Sequence, residues 1–160
     1  GLRIDGIGMQ GHWGLNYPPS EEIEASIEAY AALGLKVMIT ELDIDVLPLT
    51  REGQVIGTAL QHPQFQLSEF ERYLDPWPDQ LPAEIERQLA DRYAELFALL
   101  LRHADAIDRV TLWGVHDGMS WKNDYPIPGR RNYPLLFDRE RRPKPALAAA
   151  LQAADALQLP

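Results

Sequence analysis

The sequence predicts an α/β fold built around a parallel sheet, and three observations lead there. Short β-branched runs at residues 4–9, 35–40 and 109–113 alternate with longer stretches whose apolar residues recur at helical spacing, the order expected of βα units. Each run leads into a loop rich in glycine, proline, polar or aromatic residues, the place where parallel sheets bind ligands, beyond the C-terminal ends of the strands. The length of 160 residues, 46% hydrophobic and 24% charged, suits one globular domain and falls short of the roughly 250 residues of a complete eightfold βα barrel.

The first strand, Ile4-Asp5-Gly6-Ile7-Gly8-Met9, carries glycines that admit close packing. A loop over 11–19, holding Trp13 and Tyr17, follows it. Ser20 is read as the N-cap of a first helix, with Glu21 and Glu22 where the helix dipole favours acids. Ile23, Ile27, Tyr30 and Ala31 form its apolar face and Gly34 ends it. The second strand, Leu35-Lys36-Val37-Met38-Ile39-Thr40, is the clearest, and it delivers Glu41-Leu42-Asp43-Ile44-Asp45 at its end. Residues 46–81, broken by Pro48, Pro63, Pro76 and Pro78, form a long connection with a helical turn expected near 68–73. Pro82 suits position N1 of the longest helix, whose stripe is Ile85, Leu89, Tyr93, Leu96 and Leu100, down to His103. The third strand, Arg109 to Trp113, opens a loop to about Leu135. A last helix runs from about Pro145 to Ala156 with Leu147 and Leu151 as its apolar positions, and Arg139, Arg141, Arg142 and Lys144 read as a solvated turn before it.

Charge and composition exclude several classes. Fifteen basic against 24 acidic residues leave a net charge of −9, which argues against nucleic acid as a partner and is compatible with a neutral ligand. With no cysteine, disulfides, thiolate zinc sites and cysteine nucleophiles are ruled out. No apolar run approaches the ~20 residues of a membrane helix, so no membrane association is expected. The chain starts at Gly1 without a signal-like segment and reads as a processed product or a piece of something longer.

Residues able to do chemistry gather at the three strand ends: Gln10-Gly11-His12-Trp13, Glu41-Leu42-Asp43, and Trp113 through Trp121. Glu41 and Asp43 are two apart on a strand, so both leave the same face. His12, at the end of the neighbouring strand, is placed to bridge the two carboxylates, which otherwise push each other's pKa values apart. The spacing alone is equally compatible with two solvated acids and a surface histidine. Trp113 and Trp121 offer flat apolar faces of the kind that pack on sugar rings, although Trp113, last in a strand, also suits a core position. His12 and His116 lack metal-site spacing, so no metal and no cofactor are expected. His62 and His103 read as surface and helix-end residues, and Trp77, between two prolines, as loop packing.

These residues carry a resemblance. Ile7-Gly8-Met9-Gln10-Gly11-His12, Ile39-Thr40-Glu41-Leu42-Asp43-Ile44 and Leu112-Trp113-Gly114-Val115-His116-Asp117-Gly118-Met119-Ser120-Trp121, with Pro134-Leu135-Leu136-Phe137-Asp138 and Pro143-Lys144-Pro145-Ala146, together look like glycoside hydrolase family 10. The similarity spans nearly the whole chain in the right order. It implies a partial (β/α)8 TIM barrel, approximately its last three βα units, with residues 1–160 as the C-terminal portion of the catalytic barrel. It also implies endo-hydrolysis of β-1,4-xylosidic bonds by a retaining mechanism. Glu41 would be the nucleophile, supported by His12 and Asp43; Gln10 would contact the acid/base glutamate; Trp113 and Trp121 would line the sugar subsites. The expected ligand is xylan or a xylo-oligosaccharide, with secretion or periplasmic export implied for the family.

One departure stands out: the family's acid/base glutamate has no counterpart in these residues. Retaining hydrolysis needs two carboxyl groups ~5–5.5 Å apart, so the chain alone is expected to hydrolyse poorly. Three strands would leave two unpaired edges, so the missing N-terminal barrel half or a second copy, in a homodimer, is the expected partner. Two rivals follow: a non-catalytic, self-associating half-barrel with residual sugar binding, and a related barrel glycosidase acting on β-glucan.

Overall fold

The computed structural model describes residues 1–47, 75–125 and 129–156. His62, the helical turn expected near 68–73 and most of the connection around it lie outside these residues. In chain order the described elements are β1 (Gly6–Met9), β2 (His12–Gly14), α1 (Ser20–Ala32), β3 (Lys36–Asp45), α2 (Ala83–Arg102), β4 (Ile107–Leu112) and α3 (Pro145–Ala156), with a short 3-10 turn at Asp117–Met119. The sheet is parallel throughout. β1 and β2 pair with successive stretches of one edge of β3, and β4 pairs along the other.

Strand β3 is the centre of the molecule, and its apolar pattern explains the site. Val37 and Ile39 are fully buried, as are Leu42, Ile44 and Val46, so the buried positions change from odd to even between 39 and 42. A strand alternates faces with period two, and such a change requires an extra residue. The pairing contains it: Met9 lies opposite Ile39 but His12 opposite Asp43, and on the other edge Val110 faces Ile39 while Leu112 faces Leu42. This bulge keeps Leu42 and Ile44 on the helix-packed side and turns Glu41 and Asp43 to the opposite face. Gly11 sits against it with φ +85°, and a Cβ there would meet Ile39 Cγ2 at 2.6 Å, so glycine is required on both counts.

The core lies between β3 and the helices. Ile23 and Ile27 of α1 and Leu89, Tyr93, Leu96, Leu99 and Leu100 of α2 are buried there. Tyr93 hydroxyl donates to the Pro134 carbonyl at 2.7 Å, which satisfies its polar end within the core. Helix α3 packs on α2 through Ala146 and Ala150, small residues that permit close approach.

Several expectations are corrected. Trp13 does not lie in a loop; it belongs to β2 and is buried in the core. Ser20 is the first helical residue after the N-cap Pro19, and its hydroxyl donates to Glu95 and accepts from Arg92 of α2 rather than capping the helix. Pro82 is the N-cap of α2, with extended backbone, and not its first helical residue. Of the two positions open to Trp113, core or ligand-facing, the structure has the exposed one: it lies just beyond β4 and is 46% exposed. Leu151 is exposed, the alanines having taken the contact with α2. Gly34, in contrast, ends α1 as expected, with φ +77° and its N–H donated to Ala31.

The largest correction concerns the basic turn, where Lys144 is buried. It donates to Asp117 Oδ2 at 2.9 Å and to the Tyr133 carbonyl at 2.7 Å, while Asp117 Oδ1 accepts the Leu135 N–H at 2.8 Å. Burial pushes the Asp117 carboxyl up and the Lys144 ammonium down, so each charge is held by the other. The pair ties the loop after β4 to the start of α3. Lys144→Met is expected to cost about 3–5 kcal/mol, since it strands a buried carboxylate. A fall in the urea midpoint at unchanged slope measures this, and a loss below about 1 kcal/mol contradicts it.

Candidate active site

The bulge in β3 and the parallel pairing with β2 bring three predicted residues into contact. His12 Nδ1 lies 3.0 Å from Asp43 Oδ1, and His12 Nε2 lies 3.0 Å from Glu41 Oε2. The imidazole therefore bridges the two carboxylates, as its position beside them predicts. Asp43 is fully buried, whereas the Glu41 side chain keeps 24% of its surface exposed. Among the described residues Glu41 Oε1 has no hydrogen-bond partner, so one carboxylate oxygen is held and the other is open to the face.

The loop after β4 closes over this group. Trp121 Nε1 donates to Asp43 Oδ2 at 2.9 Å, and its ring lies 5.0 Å from the His12 ring in an edge arrangement. Trp113 also stands edge-on to His12, with centroids 6.5 Å apart and planes at 75°. Tyr125 packs on Trp121 at 4.9 Å. Trp121 and Trp113 remain 39% and 46% exposed, so exposed aromatic surface lies against the histidine that holds Glu41. Gln10 is the predicted residue that the group does not absorb. Its carbonyl accepts the Glu41 N–H at 2.7 Å, but its side chain is exposed and hydrogen-bonds to no described residue. His116 accepts the Gly118 N–H at 3.2 Å and caps the 3-10 turn, and His103 pairs with Glu24 at the end of α2. No group of three or more potential metal ligands occurs among the described residues. No described helix is long and apolar enough to cross a membrane.

The site contains residues that the sequence reading passed over. Lys122 is buried behind Asp43, with Nζ 3.4 Å from Asp45 Oδ2, and Asn132 Nδ2 donates to Asp45 Oδ1 at 2.9 Å. Asp45 was signalled by its position, two residues beyond Asp43 on the same face. Lys122 and Asn132 were not signalled, because their partners are 77 and 87 residues away in the chain.

Burial opposes a charge on His12, but the hydrogen bond and charge of Asp43, with the hydrogen bond to Glu41, outweigh it and hold its pKa above the ordinary value. A histidine raised by folding binds its proton more tightly in the native state. Its contribution to stability is full below about pH 6.5 and is lost as pH rises through the raised value. The stability difference between wild type and His12→Gln is therefore expected to shrink across that window in urea titrations. A gap that stays constant with pH contradicts this.

The glycosyl hydrolase family 10 profile matches residues 1–153. Endo-1,4-beta-xylanase A of Xylanibacter ruminicola is 40% identical over 147 residues, covering 92% of this chain and 38% of that protein. An endo-1,4-beta-xylanase of Geobacillus stearothermophilus is also 40% identical, over 146 residues, covering 91% and 38%. Among solved structures, a GH10 endoxylanase from a sugarcane soil metagenome superposes with TM-score 0.78 and 44% identity over 93% of this chain and 39% of its own. The Thermobacillus composti GH10 xylanase gives 0.72 and 35%, covering 94% and 42%. The chain thus spans about two fifths of the length of the relatives it matches, and its three βα units fold as part of a (β/α)8 barrel.

Proposed function

The chain belongs to glycosyl hydrolase family 10, and from that premise we propose that it supplies the nucleophile half of an endo-β-1,4-xylanase site, residues 1–160 being the C-terminal portion of the catalytic barrel. The observation that carries this reading is the bridged pair: Glu41 is held at Oε2 by His12, Oε1 has no hydrogen-bond partner among the described residues, and two exposed tryptophans lie against His12. In the proposed reaction Glu41 Oε1 attacks the anomeric carbon of a xylosyl unit stacked on Trp113 and Trp121. The C1–O bond to the leaving sugar breaks, and the oxygen takes a proton from a second carboxyl group. Water, giving a proton back to that second carboxylate, then attacks C1 of the glycosyl ester and releases Glu41, with net retention. His12 and Asp43 keep the attacking carboxylate charged and aimed.

The second carboxyl does not come from Asp43. Its Oδ1 faces His12, its Oδ2 accepts from Trp121, and it is fully buried. The acid must arrive across the exposed face of the sheet, from strands that pair with the edges of β1 and β4 left open among the described residues. On this reading the chain without those strands cleaves xylan poorly. Reducing-end release from xylan by the assembled barrel, with the product anomer followed by NMR, tests the proposal. Retention supports it; inverted product, or preference for β-glucan, contradicts it.

The edges of β1 and β4, unpaired among the described residues, favour a second reading, a self-associating half-barrel that binds sugar without turnover. A dimer mass by light scattering, with xylo-oligosaccharide binding and no reducing-end release, supports it.

A further inference from the structure

We propose that Lys122 is a positioning residue for the Glu41–His12–Asp43 group. Asp43 and Asp45 project from one face of β3 and are both buried, an arrangement that like charges do not tolerate without a cation. Lys122, itself 7% exposed, provides it. Its ammonium lies 3.4 Å from Asp45 Oδ2, 3.8 Å from Asp43 Oδ1 and 4.9 Å above the Trp121 ring. One side chain thus touches the anchor of His12, the second buried acid and the aromatic wall. With Lys122 against it Asp43 accepts from both His12 and Trp121, so the imidazole is held with Nε2 toward Glu41. The charges facing His12 are Glu41 and Asp43 of β3, with Asp45 next on that face, and Lys122 from the loop; Arg130 adds positive charge on the Asp45 side.

This inference rests on the reading of Glu41 as nucleophile only for its catalytic consequence, and its test does not need activity. In Lys122→Met the pH midpoint of the His12 ring, followed by NMR, is expected to rise by about 0.5 unit or more, the effect of removing one nearby charge through a water-like dielectric. The Trp121 indole N–H signal is expected to move with it, and Lys122→Arg to restore both. An unchanged midpoint in folded Lys122→Met overturns the proposal. Should that variant not fold, Asp45→Asn carries the test: Lys122 then serves Asp43 alone, the midpoint falls, and an unchanged or raised midpoint overturns the proposal. Loss of xylan cleavage on replacing Lys122 with the His12 midpoint unmoved also overturns it while leaving the role of Glu41 intact.

Discussion

Replacing Glu41 by glutamine is expected to lower kcat/KM for xylan cleavage by the assembled barrel by about 10^4-fold or more, the scale on which removing a covalent nucleophile acts. Glutamine keeps the size of the side chain and offers an oxygen or an amide to His12, so the loss would not come from a cavity. It removes the negative charge that attacks the anomeric carbon. Glu41 is partly exposed and contacts the rest of the protein chiefly through one hydrogen bond, so the variant is expected to fold. Xylan binding is expected to survive on Trp113 and Trp121, which places the loss in kcat. Activity within tenfold of wild type would remove Glu41 from the mechanism.

The second large effect concerns the leaving group. Natural xylan leaves as a poor, strongly basic sugar oxygen and needs a proton in the transition state, a contribution of roughly 10²–10⁴-fold. An aryl β-xylobioside that leaves as an acidic phenol needs none. The chain, holding the bridged Glu41 but, among the described residues, no second carboxyl beside it other than the buried Asp43, is expected to act on the aryl glycoside and to be weaker on xylan by at least that factor. The ratio of the two kcat/KM values measures it. Efficient xylan cleavage by a monomer of this chain would mean that one of its own carboxyls protonates the leaving oxygen, and the argument from Asp43 would be wrong.

Much of the fold was legible because it rests on periodicity. The stripe of α2 and the strand of Val37 and Ile39 are local patterns, and α3 occupies the residues expected of it. The Glu41–His12–Asp43 contact was legible too, since position on adjacent parallel strands brings these residues together. The bulge was written in the sequence as the slip from Val37 and Ile39 to Leu42 and Ile44, but only burial shows which face each set occupies. The buried cations were not legible. Lys122 and Lys144 stand in polar loops where a lysine is ordinarily solvated, and their burial depends on Asp45 and Asp117, which tertiary contacts alone supply. Trp13 left its expected loop for a similar reason: β2 resumes after Gly11, a boundary that propensity does not fix.

The most direct measurement is to trap the bond itself. A 2-fluoro-xylobioside with a dinitrophenolate leaving group forms its glycosyl ester without help from an acid and releases it slowly, so the label stays where attack occurred. Peptide mass spectrometry should find one xylobiosyl adduct, on Glu41, and none in Glu41→Gln. An adduct on Asp43 or another carboxylate, or none while dinitrophenolate is released, would mean that the open oxygen beside His12 is not the one that attacks.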